Sequence, residues 1–265
     1  MRTLKVATIN ILRDSSQWEK RSPWLLKGLA ALQADLIALQ EVNIQINNAL
    51  WLAGKLEMAH VYLSPKTGRS GQREGICILS RLPFEEQATL DLKTQNRVAQ
   101  YVLLRIEDQP LILANGHFYW QPGEAIERER QVQLLLSWLE AIPGNPATIV
   151  CGDFNGTPES AAVEMMRHRF ISAYADRHGR EPEYTAPTPL KRPKIALLRT
   201  ALAYMRNIRL KEIRPNWRGT LDYIFVNERL RVIDCRVVLD QPAPDNPDIY
   251  PSDHFGLVAT LELIQ

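Results

Sequence analysis

Short apolar runs alternate along this chain with segments in which apolar residues recur at helical spacing. The runs predict strands over residues 4–10, 36–40, 75–80, 98–106, 111–116, 147–150, 222–227, 234–239 and 255–263. The helical spacing predicts helices over residues 22–33, 43–58, 124–141 and 158–166. This alternation is compatible with an α/β domain, in which helices and sheets bury their apolar faces against each other.

Two of these elements have a specific local signature. Ser22 is expected to cap the first helix and Pro23 to lie in its first turn, where these residue types are favoured. The apolar run over residues 36–40 is typical of a strand that is buried on both faces.

Polar side chains recur where the predicted strands end. They are Asn10, Glu41, His117, Asp153, Asn155, Asp222, Asp253 and His254. Because these residues are spread over nearly the whole chain, we expect several strands to point into one site. Oxygen ligands without a cysteine cluster favour Mg²⁺, and carboxylate–histidine partners suit proton transfer. Together they predict metal-assisted attack on a phosphorus ester.

Bulk properties narrow the class of protein. A length of 265 residues with 45% apolar content predicts one domain over residues 1–265. No apolar run reaches about 18 residues, so no integral membrane association is expected. The first residues read as a strand without signal-peptide features, which predicts a cytoplasmic protein. Cys77, Cys151 and Cys235 lack metal-type spacing and are expected to be buried, reduced thiols.

The net charge of +2 is unevenly distributed, because one segment of the chain is strongly basic. Residues 191–218 contain nine basic residues and one acidic residue, so they carry +8 and the remainder carries −6. The prolines after residue 180 disfavour regular helix, and Lys194–Arg206 could then form one. We interpret residues 180–218 as a basic insertion in the single domain. It could attract a polyanion, or it could be a solvated charged face.

Seven short motifs occur in an order that is similar to one enzyme superfamily. They are Ala7-Thr8-Ile9-Asn10, Leu39-Gln40-Glu41-Val42, Gly75-Ile76-Cys77-Ile78-Leu79-Ser80-Arg81, Gly116-His117-Phe118, Gly152-Asp153-Phe154-Asn155, Leu221-Asp222-Tyr223-Ile224-Phe225 and Ser252-Asp253-His254. Each motif alone is weak, but the ordered set resembles the endonuclease/exonuclease/phosphatase, or DNase I-like, superfamily. That superfamily includes DNase I, abasic-site endonucleases, inositol-polyphosphate phosphatases and deadenylases.

Further details resemble the deadenylase and nocturnin branch. They are the His-x-x-Trp-x-Pro segment at 117–122, the Trp-x-x-Arg at 18–21, the Asp-Phe-Asn-x-x-Pro-x-Ser at 153–160 and the Glu-Gly at 74–75. Arg97 departs from that branch and looks more like the phosphate-contacting arginine of DNase I.

The resemblance implies a fold and a set of roles. The fold would be a four-layered α/β sandwich, with two mostly antiparallel sheets flanked by helices. Glu41, Asp253 and Asn10 would form the metal site, with Mg²⁺ as the cofactor and Mn²⁺ as a substitute. The catalytic residues would be His117, Asp153, Asn155, Asp222, His254 and Glu74. The substrate-binding residues would be Arg97, Trp120, Lys191, Arg192 and Arg199.

The same resemblance pairs each histidine with a carboxylate, His117 with Glu74 and His254 with Asp222. Such a partner is expected to raise the pKa of the imidazole. His117 would then donate to a phosphate oxygen, and His254 would act as general base or stabilise charge. Asp153 would position or activate water, and Asn155 would donate to a phosphoryl oxygen. Without these partners, each residue would be read as an ordinary turn or strand-end residue.

The leading hypothesis is a Mg²⁺-dependent phosphoesterase that hydrolyses phosphodiesters in RNA or single-stranded DNA. The alternative is a phosphatase or phosphodiesterase of a small phosphorylated metabolite or phospholipid head group. A non-catalytic binding protein is disfavoured, because every expected position is filled. Endo- and exo-cleavage, and the oligomeric state, stay open at this point.

Overall fold

Two six-stranded sheets form the centre of the molecule. The computed structural model describes residues 3–191 and 217–264. The strands are β1 Thr3–Asn10, β2 Leu36–Asn43, β3 His60–Pro65, β4 Glu74–Ser80, β5 Glu86–Asp91, β6 Val98–Ile106, β7 Gln109–His117, β8 Ala147–Asp153, β9 Ile171–Ser172, β10 Asp222–Val226, β11 Leu230–Val238 and β12 Gly256–Leu263. The helices are α1 Trp18–Leu32, α2 Asn48–Leu56, α3 Ile126–Glu140, α4 Ala161–Arg167 and α5 Ala173–His178.

The first sheet has the strand order β11-β12-β1-β2-β4-β3, and the second has β5-β6-β7-β8-β10-β9. Within the described residues, β1 pairs with β2 and β7 with β8 in parallel, and the other pairs are antiparallel. This arrangement confirms the prediction of two mostly antiparallel sheets.

Successive side chains of the central strands point to opposite faces, and this alternation produces three apolar layers. In β2, Leu36 and Ala38 pack between the sheets, whereas Ile37 and Leu39 pack on the opposite face against α1 and α2. The outer face of the second sheet packs against α3 and α4 in the same way. Because successive side chains of a strand point to opposite faces, one apolar run fills two layers. The four-layered α/β sandwich predicted from the resemblance is therefore confirmed.

The first helix begins earlier than its sequence predicted. Ser22 is not its cap, because α1 starts at Trp18 and Pro23 lies inside the helix. The extra turn contains Arg21, whose side chain is fully buried. Its guanidinium donates to the carbonyls of four residues that surround it, namely Ile11, Leu12, Asp14 and Pro251. These bonds fix the turn before Ser22, although Pro23 removes one helical N–H donor.

The observed bounds of α2 and α4 also differ from the predicted bounds, because polar side chains form turns before these helices. The predicted helix over residues 43–58 is shorter, because β2 runs to Asn43 and α2 begins at Asn48. The Asn43 side chain accepts from the N–H of Gln45, and Asn48 accepts from the N–H of Asn43, which builds the intervening turn. Helix α4 begins at Ala161 and not at residue 158, because Ser160 bonds back to Thr157.

The sequence patterns missed β3 and β5, which are edge strands of the two sheets. Their residues are largely half-buried or exposed, so they lack the apolar run of a central strand. Residues 180–191 form no helix, as their prolines predicted. The helix predicted over Lys194–Arg206 lies outside the described residues, and the single-domain organisation with a basic insertion stays a prediction. No helix among the described residues is long and apolar enough to cross a membrane.

Replacing Arg21 with methionine should lower the free energy of unfolding by about 3 kcal/mol, because several buried carbonyls would lose a charged donor. Urea denaturation checks this, with Lys20→Met as the control, since Lys20 is exposed on the same helix. Equal stability of the two variants would show that the Arg21 bonds do not anchor the helix start.

Candidate active site

Strand ends from both sheets meet at one edge of the sandwich. In the second sheet, His117 is in register with Asp153 on β8, and Asp153 is in register with Asp222 on β10. Residues in register on neighbouring strands point to the same face, so the three side chains stand in a row. Asn10, at the end of β1 in the first sheet, donates to Asp153 Oδ2 at 3.0 Å. The sheets are therefore joined at the point where the predicted residues gather.

Glu41 lies on a β-bulge. The pairing of β2 with β4 shifts register between Leu39 and Val42, and Glu41 has a left-handed φ of 54°. A bulge re-aims a side chain and often lies beside a functional site. The sequence predicted Glu41 at a strand end, whereas the strand continues through it to Asn43.

The charge of Glu41 is stabilised by its surroundings. Burial alone would raise its pKa, but the positive charge that His117 carries once protonated, the backbone N–H of Arg13 and the guanidinium of Arg97 together lower it to about 2. The Arg13 N–H donates to Glu41 Oε2 at 3.0 Å. The carboxylate is therefore ionised at neutral pH and able to serve as a hard oxygen ligand.

His254 pairs with Asp222, as the resemblance implied. Its Nδ1 lies 2.9 Å from Asp222 Oδ2, and its Nε2 lies 3.9 Å from Asp153 Oδ2. Burial would lower the pKa of His254, but the carboxylates of Asp222 and Asp153 raise it well above its ordinary value. His254 is therefore protonated at neutral pH.

Thr185 supports this pair and was missed by the sequence analysis. Its hydroxyl donates to Asp222 Oδ2 at 2.6 Å and accepts from the backbone N–H groups of Leu221 and Asp222. Thr185 belongs to residues 180–191, the described part of the proline-rich segment, and it brings that part against the site. No local motif marks this threonine, because its role arises from a contact across 37 positions of sequence.

The environment of His117 differs from the prediction. Glu74 Oε1 lies 3.8 Å from its Nδ1, whereas Asp153 Oδ2 lies 3.3 Å from its Nε2, so Asp153 is the nearer carboxylate. The pKa of His117 is lowered, first by burial and then by the charge of Arg97, which contacts Nδ1. The predicted rise of its pKa is therefore wrong. Because guanidinium offers only donors, Nδ1 accepts and the ring proton is on Nε2, facing Asp153.

Glu74 is instead surrounded by cations. Lys66 Nζ contacts Oε1, Arg13 Nε lies 3.1 Å from Oε2, and Arg97 Nη1 lies 3.6 Å from Oε1. Burial and Arg97 lower the pKa of Lys66 to about 8, although Glu74 opposes the change. Sequence reasoning missed Arg13 and Lys66, since neither belongs to a recognisable motif. Three cations around Glu74 leave an excess of positive charge beside Glu41, which suits an anionic group.

Asp153 and Asn155 occupy a tight strand end. The Asn155 N–H donates to Asp153 Oδ1 at 2.9 Å, and Asn155 itself has a left-handed φ of 49°. Gly152 has a φ of 136°, and a Cβ there would lie 2.0 Å from the Gly116 carbonyl oxygen. Only glycine permits this approach of β8 to β7. Burial would raise the pKa of Asp153, but His254, His117 and Asn10 lower it below its ordinary value.

Two groups of side chains have the spacing to hold a metal ion. They are Glu41, Glu74 and His117, and Asp153, Asp222 and His254. Within each group, among the described residues, the ligand atoms lie within 4.8 Å of one another. The predicted metal residues Asn10 and Asp253 belong to neither group. Asn10 contacts Asp153, and Asp253 precedes His254 in the loop before β12. Their metal roles stay predictions.

A groove of about 1360 Å³ opens beside Asn155. Trp120 and Trp217 both line it, together with Pro122, Arg180 and Arg218. Of the predicted substrate-binding residues, Arg97 lies at the site and Trp120 in the groove. Lys191 is exposed and pairs with Asp248 at 3.0 Å, outside the groove lining. Arg192 and Arg199 lie outside the described residues.

The Trp120 loop is held by α3. The buried Arg128 donates to the carbonyls of Tyr119, Gln121 and Gly123. The side chain of Gln131 accepts from the Tyr119 N–H at 2.7 Å. These contacts fix one wall of the groove next to the catalytic edge.

The order of motifs and the geometry they produce agree with a family model. The endonuclease/exonuclease/phosphatase family model matches residues 7–254. The chain belongs to this family. The superfamily predicted from the motifs is thereby confirmed.

Named relatives and solved structures support the assignment. The CCR4-Not complex 3′-5′-exoribonuclease subunit Ccr4 of Yarrowia lipolytica is 23% identical over 310 residues, covering 91% of this chain and 43% of the relative. The human Nocturnin catalytic domain with bound sulfate anion is 23% identical with a TM-score of 0.75, covering 99% of this chain and 95% of that one. The Yarrowia relative agrees with the predicted resemblance to the deadenylase branch, and the Nocturnin structure shares the fold.

The fold is also shared outside that branch. D. rerio TDP2 complexed with single-strand DNA product has a TM-score of 0.79 at 18% identity, covering 99% of this chain and 100% of that one. Among the curated relatives, the chain spans 38% of the length of an Arabidopsis thaliana protein, 58% of a Xenopus laevis one and 43% of Yarrowia Ccr4.

The lowered pKa of Glu41 predicts an acid-sensitive contribution to stability. A carboxyl whose folded pKa is depressed from 4.5 to about 2 stabilises the protein above pH 4.5. In the metal-free protein this contribution, on the order of 3 kcal/mol, should be lost as the pH falls towards 2.

Urea denaturation of wild type and Glu41→Gln across this range measures the loss. The difference between the two should be largest above pH 4.5 and shrink in acid. The matched variant Glu57→Gln alters an exposed carboxyl and should follow wild type. A wild-type–Glu41→Gln difference that stays constant with pH would contradict the assigned environment.

Proposed function

We propose that this protein is a Mg²⁺-dependent phosphodiesterase that acts on RNA or single-stranded DNA. The observation that carries the proposal is the placement of Asp153 between two histidines of opposite protonation behaviour, with ionised Glu41 nearby. A lowered pKa keeps Asp153 ionised, a raised pKa keeps His254 charged, and a lowered pKa keeps His117 neutral. An ionised carboxylate that can orient water, together with charged and neutral donors for the phosphoryl oxygens, favours phosphoester hydrolysis at neutral pH.

The donor set fits a hard divalent cation. Glu41 is ionised and lies on a bulge, while Glu74 is already surrounded by Lys66 and Arg13. The buried Asp222 Oδ1 has no hydrogen-bond partner among the described residues, which leaves an acceptor free in the second group. We assign the cation to Glu41, with Asn10 and Asp253 as its predicted neighbours. Once bound, Mg²⁺ would neutralise charge on a phosphoryl oxygen and on the leaving oxygen.

The other roles in hydrolysis are assigned to side chains of the protein. Asp153 is ionised and can accept a hydrogen bond from the attacking water, which orients it. His254 is kept protonated by Asp222 and is therefore suited to stabilise negative charge on the phosphoryl group, and less suited to act as general base. Asn155 and Arg97 are assigned to the phosphoryl oxygens, and Lys66 adds positive charge beside them.

Nucleic acid is the favoured substrate class for two reasons. The groove beside Asn155 carries Trp120 and Trp217, whose rings can stack on unpaired bases. The matched Yarrowia protein is named a 3′-5′-exoribonuclease, and the matched D. rerio TDP2 structure holds a single-strand DNA product. We also place the activity in the cytoplasm, because the three cysteines are free and buried, as expected in a reducing compartment.

Removing either central residue should abolish turnover. Asp153→Asn and His254→Ala are expected to lower kcat by at least about 100-fold, since Asp153 orients the attacking water and His254 stabilises charge on the phosphoryl group. Circular dichroism should show a retained fold. His168→Ala is the control, because His168 is an exposed residue at the C-terminal end of α4. Turnover like wild type in either site variant would refute the assignment.

A substrate screen separates the proposal from its alternative. RNA, DNA and small phosphate esters, the polymers labelled at the 5′ or 3′ end, are incubated with Mg²⁺, with and without chelator. We expect hydrolysis of RNA or single-stranded DNA that stops on chelation, and an affinity that falls steeply with salt. Hydrolysis confined to small phosphates, with little salt dependence, would favour a metabolite or head-group enzyme instead. The pattern of labelled products distinguishes endo- from exo-cleavage.

A further inference from the structure

The bulge that carries Glu41 interrupts the pairing of β2 and β4. Gln40 and Glu41 lie opposite Ile76 alone, between the pairs Leu39–Cys77 and Val42–Gly75. Beside this interruption, the carbonyls of Leu39 and Cys77, which form the last regular pair, each accept from a further donor.

A side chain of the opposite sheet supplies that donor. Asn115, on β7, is fully buried, and its Nδ2 donates to the Leu39 carbonyl at 3.1 Å and to the Cys77 carbonyl at 3.2 Å. One amide group therefore contacts both strands at the edge of the bulge. It does so two positions before Glu41 along β2.

The other end of the Asn115 amide is also fixed. Gln40 Nε2 donates to Asn115 Oδ1 at 2.8 Å and to Thr8 Oγ1 at 3.0 Å. Gln40 is fully buried as well. The resulting chain of contacts runs from β1 through β2 to β7, and it includes the residue directly before Glu41.

The conformation of Glu41 requires such support. A non-glycine residue with a φ of 54° holds that conformation only where its surroundings determine it. The Arg13 N–H fixes the carboxylate of Glu41, but it does not fix the strand beneath. The Asn115 amide fixes that strand, because its hydrogen bonds connect both strands of the bulge to the second sheet.

We propose that Asn115 is a positioning residue for the metal ligand Glu41. Its amide holds the bulge of the first sheet at a set distance from the second sheet, where His117 and Asp153 lie. This proposal rests on the metal role assigned above to Glu41. The competing explanation is that Asn115 merely satisfies polar groups in the core.

The chain offers a matched control for that explanation. Gln100 is in register with Asn115 on the neighbouring strand β6, and it is equally buried. Its Nε2 also crosses to the first sheet, donating to the Tyr62 carbonyl on β3 at 3.3 Å. Replacing Gln100 therefore removes a buried amide between the same two sheets without touching the bulge.

Mn²⁺ binding by the apoprotein is the measurement, followed by the electron paramagnetic resonance signal of the free ion. Wild type, Asn115→Ala, Asn115→Ser and Gln100→Ala are compared, with Glu41→Gln as the reference for a lost ligand. We expect Asn115→Ala to weaken Mn²⁺ binding by about 10- to 100-fold, the usual effect of removing support for a ligand. Asn115→Ser retains one donor and should fall between Asn115→Ala and wild type. Gln100→Ala should bind Mn²⁺ like wild type while losing comparable thermal stability.

Each outcome decides the proposal. Equal Mn²⁺ affinity in Asn115→Ala and wild type overturns it, and so does equal weakening in Gln100→Ala. Failure of both Asn115 variants to fold while Gln100→Ala folds would also overturn it, because the amide would then be a requirement of sheet packing. An absence of both Mn²⁺ binding and hydrolysis in wild type would instead refute the proposed function itself.

Discussion

The hydrogen bond from Asn10 to Asp153 joins the two sheets at their catalytic edge, and the rest of the site depends on it. Asp153 is a buried carboxylate, and an isolated buried charge would cost several kcal/mol. It is stabilised by Asn10 from the first sheet, His117 from the second, and His254 from the loop before β12. The sheets must therefore pack with these particular strand ends together for the charge to be tolerated.

The same arrangement gives two histidines opposite properties. His254 faces two carboxylates, which raise its pKa, whereas His117 is buried against Arg97, which lowers it. Titratable groups whose environments push their pKa values apart are a common sign of divided acid and base roles. One carboxylate, Asp153, thus lies between a charged donor and a neutral one. This division is the reason why the proposed function gives charge stabilisation to His254 and the orientation of water to Asp153.

The sequence predicted the central part of this structure well, because buried strands and their polar ends leave clear patterns. The run at 36–40 predicted a strand buried on both faces, and the motifs placed Asn10, Asp153 and His254 at strand ends that do meet. Contacts without a motif could not be predicted. Thr185 bonds Asp222 from far along the chain, and Lys66 reaches Glu74 from the end of an edge strand.

Local backbone and side-chain geometry was the second kind of feature that the sequence did not predict. The sequence around Glu41 reads as a strand end, because no residue type marks a bulge when Gln and Glu, and not Gly, occupy it. Likewise, the pairing of His117 with Glu74 was expected from resemblance, but the approach of Arg97 to Nδ1 reverses the pKa change. Both outcomes depend on distances of a few ångströms, which sequence spacing does not encode.

The proposed site requires that Asn10 and Glu41 of the first sheet and Asp153 of the second lie close to the same bound cation. Paramagnetic broadening of amide NMR signals by substoichiometric Mn²⁺ tests it most directly, because the effect reports distance from the ion. The signals of Asn10 and Glu41 in the first sheet, and of Asp153 in the second, should broaden together and recover on adding chelator. Broadening confined to one sheet, or located away from these residues, would contradict it.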